Sequence, residues 1–224
     1  MRKCVLFLFL CLPTFVFSQF GVKAGLNFAN VTNASAIDSK SRTGIHAGVF
    51  LSPSSKSILG SRTELLFSRQ GYDYTSGSTT GNVKLDYILL AQMMAINITK
   101  YVQIQIGGQT AFMLSAKADS SKPATGNATA NSILSFYNRF DYGFGAGVEV
   151  HPVGGLAIGA RYTISLSKLY KQPDPSTTTY PSFIPTSNDI NLKNNVVMIF
   201  VGWKFGKEDK SEKSKHHTEQ PDKK

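Results

Sequence analysis

Eight ionisable side chains could act together in this chain: Lys23, His46, Arg62, Glu64, Asp141, Glu149, Arg161 and Lys204. They are scattered along the sequence, but each falls on the polar side of an alternating apolar segment. If those segments lie side by side, the charges share one interior. Two kinds of chemistry would suit them. His46 beside a glutamate would be a proton-handling pair, with the carboxylate orienting a general base. Alternatively, acids and bases could cancel one another as a salt-bridged structural plug, because an unpaired buried charge is costly. The plug is the favoured reading. Phe50, Met113, Met198 and Phe200 fall on the same inward face and leave little room for water. No catalytic, cofactor-binding or metal-binding residue is assigned, and no cofactor is expected.

The elements that must position these groups are read from a period of two. In Phe140–Val150 the residues Phe140, Tyr142, Phe144, Ala146, Val148 and Val150 alternate with Asp141, Gly143, Gly145, Gly147 and Glu149. A strand turns successive side chains to opposite faces, so one face is continuously apolar and the other is small or charged. Such a second face suits the crowded interior of a narrow barrel whose outside meets lipid. Seven further segments read as strands: 20–31, 43–51, 58–71, 85–98, 102–115, 156–165 and 194–205. The segment 85–98 is apolar on both faces, so its inside and outside are not assigned from sequence.

The fold expected is all-β, an eight-stranded antiparallel up-and-down transmembrane β-barrel. Its connections alternate long and short, with long ones at 32–42, 72–84, 116–137 and 168–193. Outer-membrane barrels have long loops at one rim and tight periplasmic turns at the other. Every proline from Pro53 to Pro221 falls in a proposed turn, loop or tail, as expected of a residue that cannot donate to a ladder. Counting from the turns, Lys23, His46, Arg62, Glu64 and Arg161 come out at similar lower-to-middle depths. Glu149 and Lys204 sit at the periplasmic mouth and Asp141 sits higher. An aromatic girdle is expected from Phe20, Tyr101, Trp203 and Phe205 at the periplasmic boundary and Phe28, Phe67, Phe112 and Phe140 at the other. Tyr87 is grouped with the second set.

The start of the chain reads as a secretory leader. Met1-Arg2-Lys3 is basic, Cys4–Phe17 is almost wholly apolar, and Val16-Phe17-Ser18 fits a cut before Gln19. Both cysteines, Cys4 and Cys11, lie inside it, and Leu10 is too bulky for a lipoprotein reading of Cys11. The expected domains are a signal peptide over 1–18, a barrel over 19–206 and a disordered charged periplasmic tail over 207–224. That tail holds six lysines against five acids and cannot bury a core. Its His216-His217 is not assigned to a metal. The chain carries a net charge of +10. Its cations are dispersed rather than interleaved with aromatics, which argues against nucleic acid as a partner. No run of 18 apolar residues follows the leader, so a helical membrane protein is excluded. Expected partners are outer-membrane lipid and envelope proteins met through the loops or tail, with the barrel monomeric. The alternatives are a lipid-modifying enzyme, which would need a nucleophile and base near the outer leaflet, and a soluble lipocalin-like barrel.

Several stretches carry a family resemblance: Glu64–Gly71, Leu85-Asp86-Tyr87, Phe140–Gly147, Ala160-Arg161-Tyr162-Thr163 and Gly202-Trp203-Lys204-Phe205. Through them the chain resembles the PorT-type outer-membrane β-barrel family from Gln19 to about Gly206. That resemblance implies an eight-stranded barrel. The family's namesake belongs to a protein-secretion and gliding machinery, so a role in secretion or envelope assembly follows as an expectation from the resemblance alone.

Overall fold

The structure is a computed structural model that describes residues 18–32, 38–53, 58–76, 79–121, 131–171 and 193–205. Residues 1–17 of the expected 1–18 leader and the expected tail over 207–224 lie outside the described residues, and Ser18 opens the first strand. Eight long strands form: β1 Ser18–Thr32, β2 Asp38–Pro53, β3 Leu59–Ser76, β4 Thr79–Asn97, β5 Val102–Ser121, β7 Phe140–Val150, β8 Leu156–Ser165 and β9 Lys193–Phe205. A two-residue strand, β6 (Asn131–Ser132), flanks β5. Each long strand pairs antiparallel with its sequence neighbours, and β1 pairs with β9, so the ring closes on itself. Closure leaves no sheet edge, which is what permits strands to cross lipid.

Alternation sorts the two surfaces. Phe144, Ile158, Ile199 and Val201 are exposed on the outside, while Phe50, Leu66, Met198 and Phe200 are buried within. The same test assigns β4. Leu85, Tyr87, Leu89, Ala91 and Met93 point into the barrel, whereas Ile88, Leu90 and Met94 face out. Tyr87 therefore leaves the expected girdle. It follows Leu85 and precedes Leu89 on the inward parity and is only 1% exposed.

Four strands run well beyond what their sequence suggests. The long loop expected over 72–84 is largely ladder, with β3 and β4 paired out to Ser76 and Thr79. Tyr72 and Tyr74 are buried while Asp73 is not, so the period of two continues through a polar-looking stretch. Gly71 carries the reading past the expected strand end. Its φ of +154° suits glycine, and a Cβ there would strike the Val83 carbonyl. Likewise β2 begins at Asp38 and β5 reaches Ser121. Pro53 sits on the last residue of β2 rather than in the turn after it.

β5 also changes face. Its pairing with β4 slips between Asp86 and Tyr87, so Leu114 faces out while Ala116 faces in. One extra residue reverses every side chain beyond it. Ser115, which the parity of Gln103 and Gln105 would turn inward, instead faces out and donates to Asp86 at 2.9 Å.

Candidate functional site

The lumen is filled in two storeys. The half nearer the turns is polar. The half nearer the loops packs Leu66, Tyr72, Tyr74, Leu85, Tyr87 and Met113 with Tyr137 and Tyr170 of the connecting segments. Eight strands enclose a space just wide enough for such side chains.

Glu64 on β3 is the centre of the polar storey. Its carboxylate accepts from Lys23 Nζ of β1 at 2.8 Å and from Arg62 Nε at 2.7 Å. Arg161 of β8 crosses the barrel to grip both oxygens, at 2.7 and 2.8 Å. Arg62 also donates to Glu149 of β7 at 3.0 Å. Glutamines continue the network. Gln105 receives Arg161 at 2.5 Å and donates to Glu149 and to Gln103, and Gln103 donates to Asn97 at 2.7 Å. Lys23, Arg62, Glu64, Glu149 and Arg161 are all buried. Two aromatics complete the setting: Arg62 lies 3.9 Å from the Phe50 ring centre and Lys23 Nζ lies 4.0 Å from that of Phe200. Lumen glycines leave space for these rings. A Cβ on Gly159 would stand 2.6 Å from Phe200 Cζ, and one on Gly21 would collide with Phe50.

At the turn rim Glu149 meets His151 Nε2 at 2.6 Å, and Lys204 approaches both His151 at 2.9 Å and Glu149 at 3.4 Å. A cavity of about 320 Å³ opens beside them, with Gln19 and Tyr101 on its wall.

Two of the residues expected together stand apart. His46 is buried, but its Nδ1 pairs with Asn27 Oδ1 at 2.7 Å rather than with a carboxylate. Asn27 in turn donates to Ser68 at 3.0 Å, so a separate amide and hydroxyl strip runs up this wall. Asp141 lies at the loop end of β7 and accepts from Ser165 and Ser167, at 2.5 Å each. Neither joins the Glu64 centre among the described residues. Sequence reasoning singled out neither Gln103 and Gln105 nor His151, although Gln105 bridges Arg161 and Glu149 and His151 meets Glu149 at the rim.

On the outside, Phe20, Tyr101, Trp203 and Phe205 are exposed towards the turn rim, and Phe28, Phe112 and Phe140 towards the loop rim. Phe67, in the second group, is half-buried. Phe20 and Phe205 stack with ring centres 5.9 Å apart across the β1–β9 seam. An exposed apolar band bounded by rings in this way belongs in a bilayer.

The family model described as outer membrane protein beta-barrel domain matches residues 17–171. The chain belongs to this family. It is an outer-membrane β-barrel protein, all-β with eight antiparallel strands in a ring. Among solved structures it is similar to Neisserial surface protein A, with 15% identity and a TM-score of 0.52, covering 83% of this chain and 97% of that one. It is also similar to Ail, the attachment invasion locus protein of Yersinia pestis, with 18% identity and a TM-score of 0.48, covering 84% of this chain and 99% of that one. Identities this low speak to the fold alone. No curated protein matches the chain.

Proposed function

We propose that this protein is a non-enzymatic outer-membrane barrel with a closed lumen, and that it works through the surfaces at its two rims. The observation that carries this reading is Glu64, held by three cations in a fully buried site that blocks the bore. A side-chain plug of this kind fixes the barrel's shape and leaves no path for solute. Chemistry at His46 is disfavoured by the same geometry, since among the described residues its ring hydrogen-bonds an amide and no serine. The connecting segments and the turn-side mouth then remain as the working surfaces. With the PorT-like motifs, this supports a role as a component or accessory of a protein-secretion or envelope assembly.

The test is crosslinking in native outer membranes from a cysteine at Ser135, which is exposed in the segment before β7. The expected result is a defined envelope protein captured at that position and lost when the segment is replaced. Absence of any captured protein, together with altered lipid A or phospholipid chains in cells lacking the gene, would favour a lipid-modifying enzyme instead.

A further inference from the structure

Towards the loop rim, the outer surface carries cations that its own acids do not match. Arg69 of β3 takes Asp86 of β4 at 2.7 Å, and Arg42 of β2 takes Asp73 of β3 at 2.7 Å. Those carboxylates are thus engaged. Lys84 of β4 and Lys117 of β5 are direct partners across the ladder, and both are exposed on the outward face. Neither forms an ion pair among the described residues, although Lys117 shares the field of Asp86 with Arg69. Like charges placed directly opposite each other destabilise a sheet. The arrangement makes sense if an anion bridges the two ammonium groups.

The surroundings say what kind of anion. Turnward on the same two strands the outward residues are first Asp86 and Ser115, hydrogen-bonded to each other, and then Ile88, Leu90, Phe112 and Leu114, all four exposed. The lysines therefore stand at the upper edge of the lipid-facing band, where headgroups lie. Arg139 flanks them with its guanidinium 4.5 Å from the Phe112 ring centre, and Arg69 lies on the other side, 6.0 Å from that of Phe67. Cations above an apolar floor, with Asp86 held by Arg69 and Ser115 between them, match an anionic head attached to acyl chains. A free anion would gain nothing from that floor.

We propose that the outward face around Lys84 and Lys117 binds the phosphate of an outer-leaflet lipid headgroup, whose chains lie along Ile88, Leu90, Phe112 and Leu114. Each lysine contributes one charge-assisted contact, and Arg69 and Arg139 close the site at its sides. Lipid binding here would also orient the barrel in the membrane, since no comparable pair of opposed cations occurs at the turn rim among the described residues. The inference rests on the barrel lying in a membrane and is independent of any loop-bound protein.

The experiment uses the full chain in nanodiscs of phosphatidylcholine with or without a minor fraction of phosphatidic acid. Lipid retained after transfer to neutral detergent is counted by native mass spectrometry, and barrel unfolding is followed by gel mobility on heating. Wild type should retain phosphatidic acid selectively. Lys84→Gln and Lys117→Gln should each weaken that retention about fivefold, as expected for loss of one surface cation. Lys100→Gln at the opposite rim should leave it unchanged. In discs of phosphatidylcholine alone, Lys117→Gln should unfold at the same temperature as wild type or higher, because the opposed charge is relieved. With phosphatidic acid present it should unfold lower. Undiminished retention in the Lys84→Gln/Lys117→Gln double variant, or equal loss in Lys100→Gln, would overturn the proposal. Protection by inorganic phosphate in neutral detergent as strong as that by phosphatidic acid would make this a free-anion site and not a lipid site.

Discussion

Glu64→Gln and Lys23→Met alter the same ion pair yet should differ sharply in cost. Within the lumen network four cations, Lys23, Arg62, Arg161 and Lys204, stand against two carboxylates, Glu64 and Glu149. Removing the Glu64 charge leaves Lys23 and Arg161 facing a neutral amide, with Gln105 and the Phe200 ring as their remaining contacts. Breaking a buried pair so that a charge is stranded costs about 3–5 kcal/mol. Two stranded cations place Glu64→Gln at the upper end of that range. Lys23→Met removes a cation from a site already rich in them. Glu64 keeps Arg62 and both arms of Arg161. The methionine fills a similar volume beside Phe200, so the loss should be below about 1.5 kcal/mol, in line with volume-conserving exchange. The assay is equilibrium unfolding in urea of the barrel refolded into lipid vesicles, read by the gel shift between folded and unfolded forms. Equal losses for the two variants, or a larger loss for Lys23→Met, would refute the reasoning that surplus positive charge makes Glu64 the keystone.

Other outcomes follow from the surfaces and the packing. Phe144→Arg, mid-strand and 63% exposed to lipid, should cost about 2–4 kcal/mol in the same assay, while Val153→Arg in the turn before β8 should be tolerated. Gly159→Val should hinder folding in vesicles, because the added methyls meet Phe200 and the Val148 carbonyl, with overpacking costing about 1–3 kcal/mol or more. A cysteine at Ser135 should react with an impermeant thiol reagent on intact cells, and one at Gly154 should react only after the outer membrane is opened. The reverse labelling would invert the barrel.

Much of this architecture was legible because a barrel wall repeats every two residues. Where one face is apolar and the other small or charged, as in β7, parity alone separates lipid from lumen. It fails in β4 because the upper storey of the lumen is itself apolar, so Leu85 and Leu89 look no different from Ile88 and Leu90 until burial is known. It fails again beyond Ser115, where one bulged residue exchanges the faces of β5. Polar composition misled at Tyr72-Asp73-Tyr74, whose tyrosines cap the lumen while the aspartate meets Arg42 outside. The set of lumen charges could be listed from parity, but their partners could not. Arg161 reaches Glu64 across the bore from 97 residues away, and that choice depends on strand stagger, which no local pattern encodes. His46 was matched with a glutamate by depth, yet its immediate neighbour across the β1–β2 ladder side is the wall that carries Asn27.

The central claim is that side chains joined through Glu64 close this barrel. Ion conductance of the purified full chain in planar bilayers tests it most directly. The account predicts no steady conductance for wild type at neutral pH. Discrete, long-lived channels in the wild-type protein would contradict it.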